Sequence, residues 1–163
     1  MKAISGSRAT GVDVVAAVCA GVAAGILATV VQIVLWAIFT DALPAVLYRD
    51  SRFAAAIVLG RGVLPPPASF DERIMLVATL VHFALAIAYA ITLAWLIANL
   101  RVWPSLLAGA AFGLGLYAIN MYGFSALFPW FASSRDWITA AAHLAFGVAL
   151  AGVYRLAARA RRG

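Results

Sequence analysis

The chain has 163 residues, of which 66% are hydrophobic and only 11% charged, with a mean hydropathy of +1.01. Soluble domains are nearer half apolar and a quarter charged, so the composition excludes an ordinary water-soluble fold. The net charge of +6 does not indicate nucleic-acid binding, because the basic residues flank apolar segments instead of forming a basic face. A lone cysteine, Cys19, excludes an internal disulfide or a Cys-based metal site, and we expect it to be a small buried hydrophobe.

Four uncharged stretches are long enough to cross a bilayer, which takes about 20 apolar residues. They cover residues 14–40, 74–100, 102–134 and 137–154. We predict an all-α integral membrane protein, a single four-helix domain over 1–163, with transmembrane helices near 12–39, 73–99, 103–127 and 136–157. The first stretch exceeds the apolar core of about 7 to 15 residues in a cleaved signal peptide, so we interpret it as a retained anchor.

The connection over 40–72 is the only sizeable extramembrane segment. Apolar and polar residues alternate in it at helical spacing, which predicts a short helix on the outer surface. The apolar positions are Val46, Leu47, Phe53, Ile57 and Val58, and the polar ones are Arg49, Asp50, Ser51 and Arg52. Gly60, Gly62 and the prolines at 65–67 would end that helix. An irregular linker is the alternative.

The distribution of charge predicts the orientation. One side of the four crossings carries Lys2, Arg8, Arg101, Arg155, Arg159, Arg161 and Arg162 against Asp13. On the other side Arg49, Arg52, Arg61, Arg73 and Arg135 are balanced by Asp41, Asp50, Asp71, Glu72 and Asp136. Because Lys and Arg accumulate in cytoplasmic loops, we expect both termini to be cytoplasmic. The aromatic residues agree, with Trp36, Phe39, Tyr48, Tyr122, Phe128, Trp130 and Trp137 at the outer interface and Trp95, Trp103 and Tyr154 at the inner one.

An internal similarity relates the first crossing to the third and the second to the fourth. Residues 20–25 align on 108–113, and residues 79–84 match 140–145. This predicts two tandem helical hairpins, a parallel repeat about an axis along the membrane normal. Chance similarity between alanine-rich helices is the alternative.

Two glycine pairs and four polar residues fall in matching registers of the repeat. The spacing of Gly21 with Gly25, and of Gly109 with Gly113, lets helices approach closely. Two turns later the same faces carry Gln32 and Asn120, and the partner helices carry His82 and His143 between small residues. We expect one inward-facing polar layer of Gln32, His82, Asn120 and His143, about 10 to 13 Å below the outer surface.

The layer admits several functions. It can fix helix packing through hydrogen bonds, or line a path for a small solute or ion, with hydroxyls such as Thr29 and Thr92 taking part. No Asp, Glu, Lys or Arg lies inside a crossing, which argues against a carboxylate proton relay. Because one four-helix protomer is narrow, we expect such a path to need a homo-oligomer in the bilayer, with a solute that the sequence leaves unknown.

A b-type haem between His82 and His143 is the alternative cofactor, although we expect none. Two imidazoles at one depth could be its axial ligands, with Ala86 and Gly147 leaving room for the macrocycle and Arg73 and Arg135 meeting the propionates. No haem-attachment motif of the C-x-x-C-H kind is present.

The residues Gly123-Phe124-Ser125-Ala126, followed by His143 on the next helix, resemble the Ser-His dyad of rhomboid-type proteases only faintly. Ala126 replaces the glycine of that pattern, and the chain has two helices fewer than that fold. We therefore predict a protein that is not an enzyme.

The segment from Ala142 to Tyr154 resembles a closing His-x-x-Phe/Tyr-Gly-x-x-Leu-Gly-x-x-Tyr pattern of small YagU-like inner-membrane proteins of bacteria. Proteins of this style are sometimes labelled "sodium:proline symporter", but a chain with four continuous helices is too small to be one by itself. The second glycine of the pattern comes one position late, at Gly152. The resemblance covers one helix and implies a protein of the bacterial inner membrane.

Overall fold

The computed structural model describes residues 11–161. Within that range the chain forms five α-helices and no β-strand. They are α1 (Val14–Phe39), α2 (Ala45–Leu59), α3 (Glu72–Ile97), α4 (Val102–Ala118) and α5 (Trp137–Ala160). Four segments are long and apolar enough to cross a membrane: α1, α3, α5, and α4 with its continuation to Ala126. The fold is that of an all-α multi-pass membrane protein.

The packing of small and large side chains supports a lipid environment. The core between α1, α3 and α5 consists largely of alanines such as Ala17, Ala20 and Ala90, while Ile26 and Leu80 on the same helices are exposed. Water would penalise so large an exposed apolar surface. Small residues between helices and large ones outside are typical of membrane bundles, since lipid replaces water around the large side chains.

Aspartates fix where three of the long helices begin. The carboxylate of Asp13 accepts a hydrogen bond from the Ala16 amide (2.9 Å), and Asp71 does the same for Ile74 (3.0 Å). Asp136 caps α5 through the Thr139 amide (2.7 Å). Each cap satisfies an amide that has no partner within its helix, so each helix starts directly after a charged residue.

The four long helices lie in the order α3, α1, α5, α4, with α1 and α5 packed along each other in the centre. An ion pair between Arg161 and Asp13 (2.9 Å) joins the end of α5 to the start of α1. The helices at the two ends of this order, α3 and α4, make only a small contact with each other. A two-fold relation between the α1/α3 and α4/α5 pairs would make the α3–α4 and α1–α5 interfaces equal, so the packing does not follow the axis expected from the repeat. The orientation prediction rests partly on Lys2, Arg8 and Arg162, which lie outside the described residues.

A helix does form in the first connection, where α2 packs against α3 through Ala55, Ile74 and Ala78. It ends at Gly60, whose φ of 80° lies in the left-handed region that favours glycine. Its place on the outer surface of the membrane stays a prediction. Trp36 on α1 is buried beside Val46 of this helix, not at an open interface.

Two further expectations were wrong. Cys19 is exposed on α1, because the inward face there is taken by alanine and glycine. The third crossing is not a continuous α-helix, since α4 gives way to a π-helical turn over Ile119–Gly123 and a short 3-10 turn over Phe124–Ala126. Arg135 supports that turn by donating from its Nε to the Met121 carbonyl at 2.7 Å.

Candidate polar site between the helices

The two glycine pairs lie at the closest helix contacts. A Cβ atom on Gly25 would come within 3.1 Å of the His82 Nε2, and one on Gly21 within 3.0 Å of the Ala86 carbonyl oxygen. In the other pair of helices, a Cβ atom on Gly113 would collide with the carbonyl oxygen of His143. The glycines therefore let each histidine helix approach the backbone of its neighbour.

These contacts correspond between the two helix pairs. Gly109 faces Gly147 and Ala151 as Gly21 faces Ala86 and Ala90. The partners on α5 follow those on α3 by the same 61 residues that separate His82 from His143. Both pairs thus place a histidine at the same register opposite the second glycine.

All four predicted polar residues border one cavity of about 170 Å³. Gln32 lies on α1, His82 on α3, Asn120 in the π-helical turn and His143 on α5. The remaining polar lining residues are Thr29 and Tyr89, and the apolar ones are Ala28, Leu85, Ala86, Leu116, Ala142 and Phe146. Among the residues that the structure describes, no charged side chain lines this cavity, and its polar groups come from all four candidate membrane-spanning segments.

A chain of hydrogen bonds crosses the cavity wall. The Tyr89 hydroxyl donates to Asn120 Oδ1 (3.1 Å), and the Asn120 amide lies 3.4 Å from His143 Nε2. Nδ1 of His143 donates to the carbonyl of Thr139 (2.8 Å), which makes Nε2 the acceptor of the Asn120 amide in a neutral ring. The Gln32 amide nitrogen lies 3.4 Å from the Thr139 hydroxyl. These hydrogen bonds therefore link all four candidate membrane-spanning segments.

His82 forms a separate cluster on the other side of the cavity. Its Nε2 lies 3.3 Å from the Gly25 carbonyl and 3.5 Å from the Thr29 hydroxyl. The Thr29 hydroxyl itself donates to the Gly25 carbonyl at 3.0 Å. Bonds of 3.3 to 3.5 Å are longer than the usual 2.7 to 3.2 Å, so His82 is held loosely.

The π-helical turn places Asn120. Such turns are rare and often occur at functional sites, because the extra residue per turn changes where side chains lie. Asn120 is the second residue of this turn, and the Tyr89 bond ties it to α3 across the narrow α3–α4 contact. Tyr89 thus provides a polar link between α3 and the segment that continues α4.

A second cavity, of about 330 Å³, lies between α1, α2 and α3. It shares Thr29, Gln32 and His82 with the first, so these three side chains form the partition between the two spaces. Asp50 of α2 also lines it. Burial raises the pKa of this carboxyl above its usual range, while the adjacent Arg49 opposes the change.

Sequence reasoning missed three residues of this region. Tyr89 follows His82 by two helical turns and so shares its face, which is a usable signal. Thr139 precedes His143 by one helical turn and so lies on the same face of α5, which is a second usable signal. Asp50 had no signal, because nothing in the sequence tells that α2 folds back over α1 and α3.

Other candidate residues lie elsewhere. Thr92 is exposed and donates only to the Ala88 carbonyl of its own helix, and Arg73 is exposed. Arg135 is engaged with the Ser125 hydroxyl (2.5 Å) and lies over the ring of Tyr122. No hydrogen bond joins Ser125 to His143 in the described part of the chain.

Comparisons with protein-family models, curated proteins and solved structures found no match to this chain. The YagU-like resemblance therefore stays a prediction.

Proposed function

We propose that this chain passes a small polar solute or ion across the bacterial inner membrane through the cavity between its long helices. The observation that carries the proposal is the convergence of Gln32, His82, Asn120 and His143 on one cavity from four different segments. Both termini are cytoplasmic in this proposal and α2 lies outside, in accord with the Lys and Arg distribution.

The geometry favours a path over packing alone. Hydrogen bonds in proteins usually span 2.7 to 3.2 Å, whereas three contacts here, those of Gln32, Asn120 and His82, span 3.3 to 3.5 Å, so these polar groups are not fully committed to one another. A cavity of about 170 Å³ with six polar lining residues is large enough for several molecules the size of water. Amides, imidazoles and hydroxyls can exchange these long bonds for bonds to a passing solute.

Flux through proteoliposomes tests the proposal. The probes are urea, a neutral solute, and methylammonium, a cation, each followed by stopped-flow light scattering. Ala142 lines the cavity and is 4% exposed, so Ala142→Leu fills the space without removing a polar group. Thr92→Val changes an exposed hydroxyl outside the cavity and is the control.

The path requires that at least one probe crosses wild-type proteoliposomes faster than empty ones. Ala142→Leu should return that flux to the empty-liposome rate, and Thr92→Val should keep the wild-type rate. If neither probe crosses faster, or if Ala142→Leu has no effect, the proposed path is rejected.

Haem b held by His82 and His143 is the alternative, because both imidazoles border the same cavity. Against it, the cavity measures about 170 Å³, whereas ligand pockets usually measure about 300 to 1,000 Å³. A strong Soret band in protein expressed with ample haem, lost in His82→Ala and in His143→Ala, would establish the haem function instead.

A further inference from the structure

The second cavity holds a single charged side chain within the described residues. Its walls come from α1, α2 and α3, and most of the lining is apolar: Ile26, Val30, Ile33, Trp36, Leu47, Ala54, Met75, Ala78 and Phe83. The polar lining consists of Thr29, Gln32, Ser51, Thr79, His82 and Asp50. Arg49, which does not line the cavity, pairs with this carboxylate, so Asp50 is the group through which the cavity can attract a competing cation.

The contacts of Asp50 leave half of its carboxylate available. Nε and one terminal nitrogen of Arg49 both lie 2.8 Å from Oδ1, and the Ser134 hydroxyl donates to the same oxygen at 3.3 Å. No hydrogen bond to Oδ2 occurs within residues 11–161. Since each carboxylate oxygen accepts about two hydrogen bonds, Oδ2 can take a donor from a ligand.

Two aromatic rings and the aliphatic walls suit the rest of such a ligand. Trp36 and Phe83 border the cavity, and aromatic faces attract cations, with Trp the strongest. Ile26, Val30 and Met75 offer contact to an alkyl group. A hydrated metal ion would gain little from these walls, whereas an organic cation would bury its alkyl part against them.

We propose that this cavity binds a small alkylammonium ion, whose N–H group donates to Oδ2 of Asp50 and whose alkyl group packs against the apolar wall. Arg49 lies outside the cavity lining but already pairs with the same carboxylate, so it competes with the ligand. The Arg49 side chain is 36% exposed, and its guanidinium also lies 5.4 Å from the centre of the Phe53 ring. This cation–π contact can hold Arg49 when a ligand takes its place on the carboxylate.

The site adjoins the polar cavity, because Thr29, Gln32 and His82 line both. That alkylammonium ions are also the cargo of the path rests on the function proposed above, but the binding itself does not. Binding in the second cavity and flux through the first are measured separately.

The charge state of Asp50 supports a pH dependence. The groups that act on it are Arg49 beside it, Ser134, and Asp136 at the start of α5, and His82 lines the cavity from α3. Burial and Asp136 raise the pKa of Asp50, while Arg49 and Ser134 lower it. Acidification therefore removes the carboxylate charge, and with it the bound cation, at a pH above the usual titration of aspartate.

Equilibrium dialysis against the purified protein in nanodiscs, at neutral pH, tests the proposal. The probe is cyclohexylammonium, and cyclohexanol is its neutral counterpart of the same shape. Empty nanodiscs correct for partition into lipid. The variants are Asp50→Asn, Arg49→Gln and, as control, Asp41→Asn, which removes an exposed carboxylate of the same connection that does not line the cavity.

Wild-type protein should bind cyclohexylammonium more tightly than cyclohexanol. Asp50→Asn should weaken the ammonium by about tenfold or more, the usual scale of a charge-assisted hydrogen bond, and leave cyclohexanol unchanged. Arg49→Gln should tighten it, and Asp41→Asn should have no effect. If Asp50→Asn does not fold, Arg49→Gln decides.

Equal binding of the two probes, unchanged binding by a folded Asp50→Asn, or weaker binding by Arg49→Gln would overturn the proposal. Tight ammonium binding together with unblocked flux in Ala142→Leu would reject the path and keep the site. Flux that is blocked in Ala142→Leu, together with no ammonium binding, would keep the path and reject the site.

Discussion

Replacing Gly113 by alanine should separate α4 from α5. The added Cβ would collide with the carbonyl oxygen of His143 and come within 3.0 Å of its carbonyl carbon and 3.2 Å of the Gly147 nitrogen. These are helix backbone atoms that cannot rotate away, so the two helices must move apart. Gly115 is the matched control, because a Cβ there meets nothing within 4 Å.

The magnitude follows from two opposing effects. Overpacking costs typically about 1 to 3 kcal/mol, whereas alanine is favoured over glycine inside a helix by up to about 1 kcal/mol. Gly113→Ala has both the cost of overpacking and the gain in helix propensity, whereas Gly115→Ala has only the gain in helix propensity. The two variants should therefore differ by about 1 to 3 kcal/mol, with Gly113→Ala the less stable.

Unfolding in mixed micelles of increasing denaturing detergent, followed by circular dichroism, measures that difference. The movement should also pull His143 away from the Asn120 amide, which lies 3.4 Å from it, so Gly113→Ala should lose flux as well. If Gly113→Ala is as stable as Gly115→Ala, the close approach of α4 to α5 is refuted.

Three further outcomes follow from particular bonds. Tyr89→Phe removes the hydroxyl that donates to Asn120 and should lower the free energy of unfolding by about 0.6 kcal/mol, the average for such bonds in a membrane bundle; no change in the same unfolding assay would deny the link between α3 and α4. Asp136→Ala removes the cap on the Thr139 amide and should cost about 1 kcal/mol, whereas Asp136→Asn should retain most of it. Because burial raises the pKa of Asp50, cyclohexylammonium binding should be complete near neutral pH and fall on acidification through a midpoint above the usual titration range of aspartate. A midpoint within or below that range in a dialysis series would contradict the burial of this carboxyl.

The sequence predicted the transmembrane helices well because charge is costly in hydrocarbon. Asp13 and Asp136 directly precede uncharged stretches, Asp71 lies three residues before one, and all three cap helices. The register of glycine to polar residue predicted which faces meet, since a two-turn spacing keeps residues on one side of a helix.

The remainder depends on tertiary structure that periodicity cannot express. The residues around Asn120 carry no sequence pattern that predicts the π-helical turn. The turn is stabilised by tertiary contacts such as that of Arg135 with the Met121 carbonyl. The role of Asp50 is hidden for the same reason: α2 looks like a surface helix by composition, yet it closes the second cavity.

Accessibility of the cavity to water is the most direct test of a polar path. In a Cys19→Ser background, Gln32→Cys places a thiol between the two cavities and Thr92→Cys places one on an exposed face outside them. Both are treated in intact membranes with a membrane-impermeant trimethylammonium methanethiosulfonate, and labelling is measured by mass spectrometry. A path predicts that Gln32→Cys reacts and Thr92→Cys does not. No reaction at position 32, or equal reaction at both positions, would contradict it.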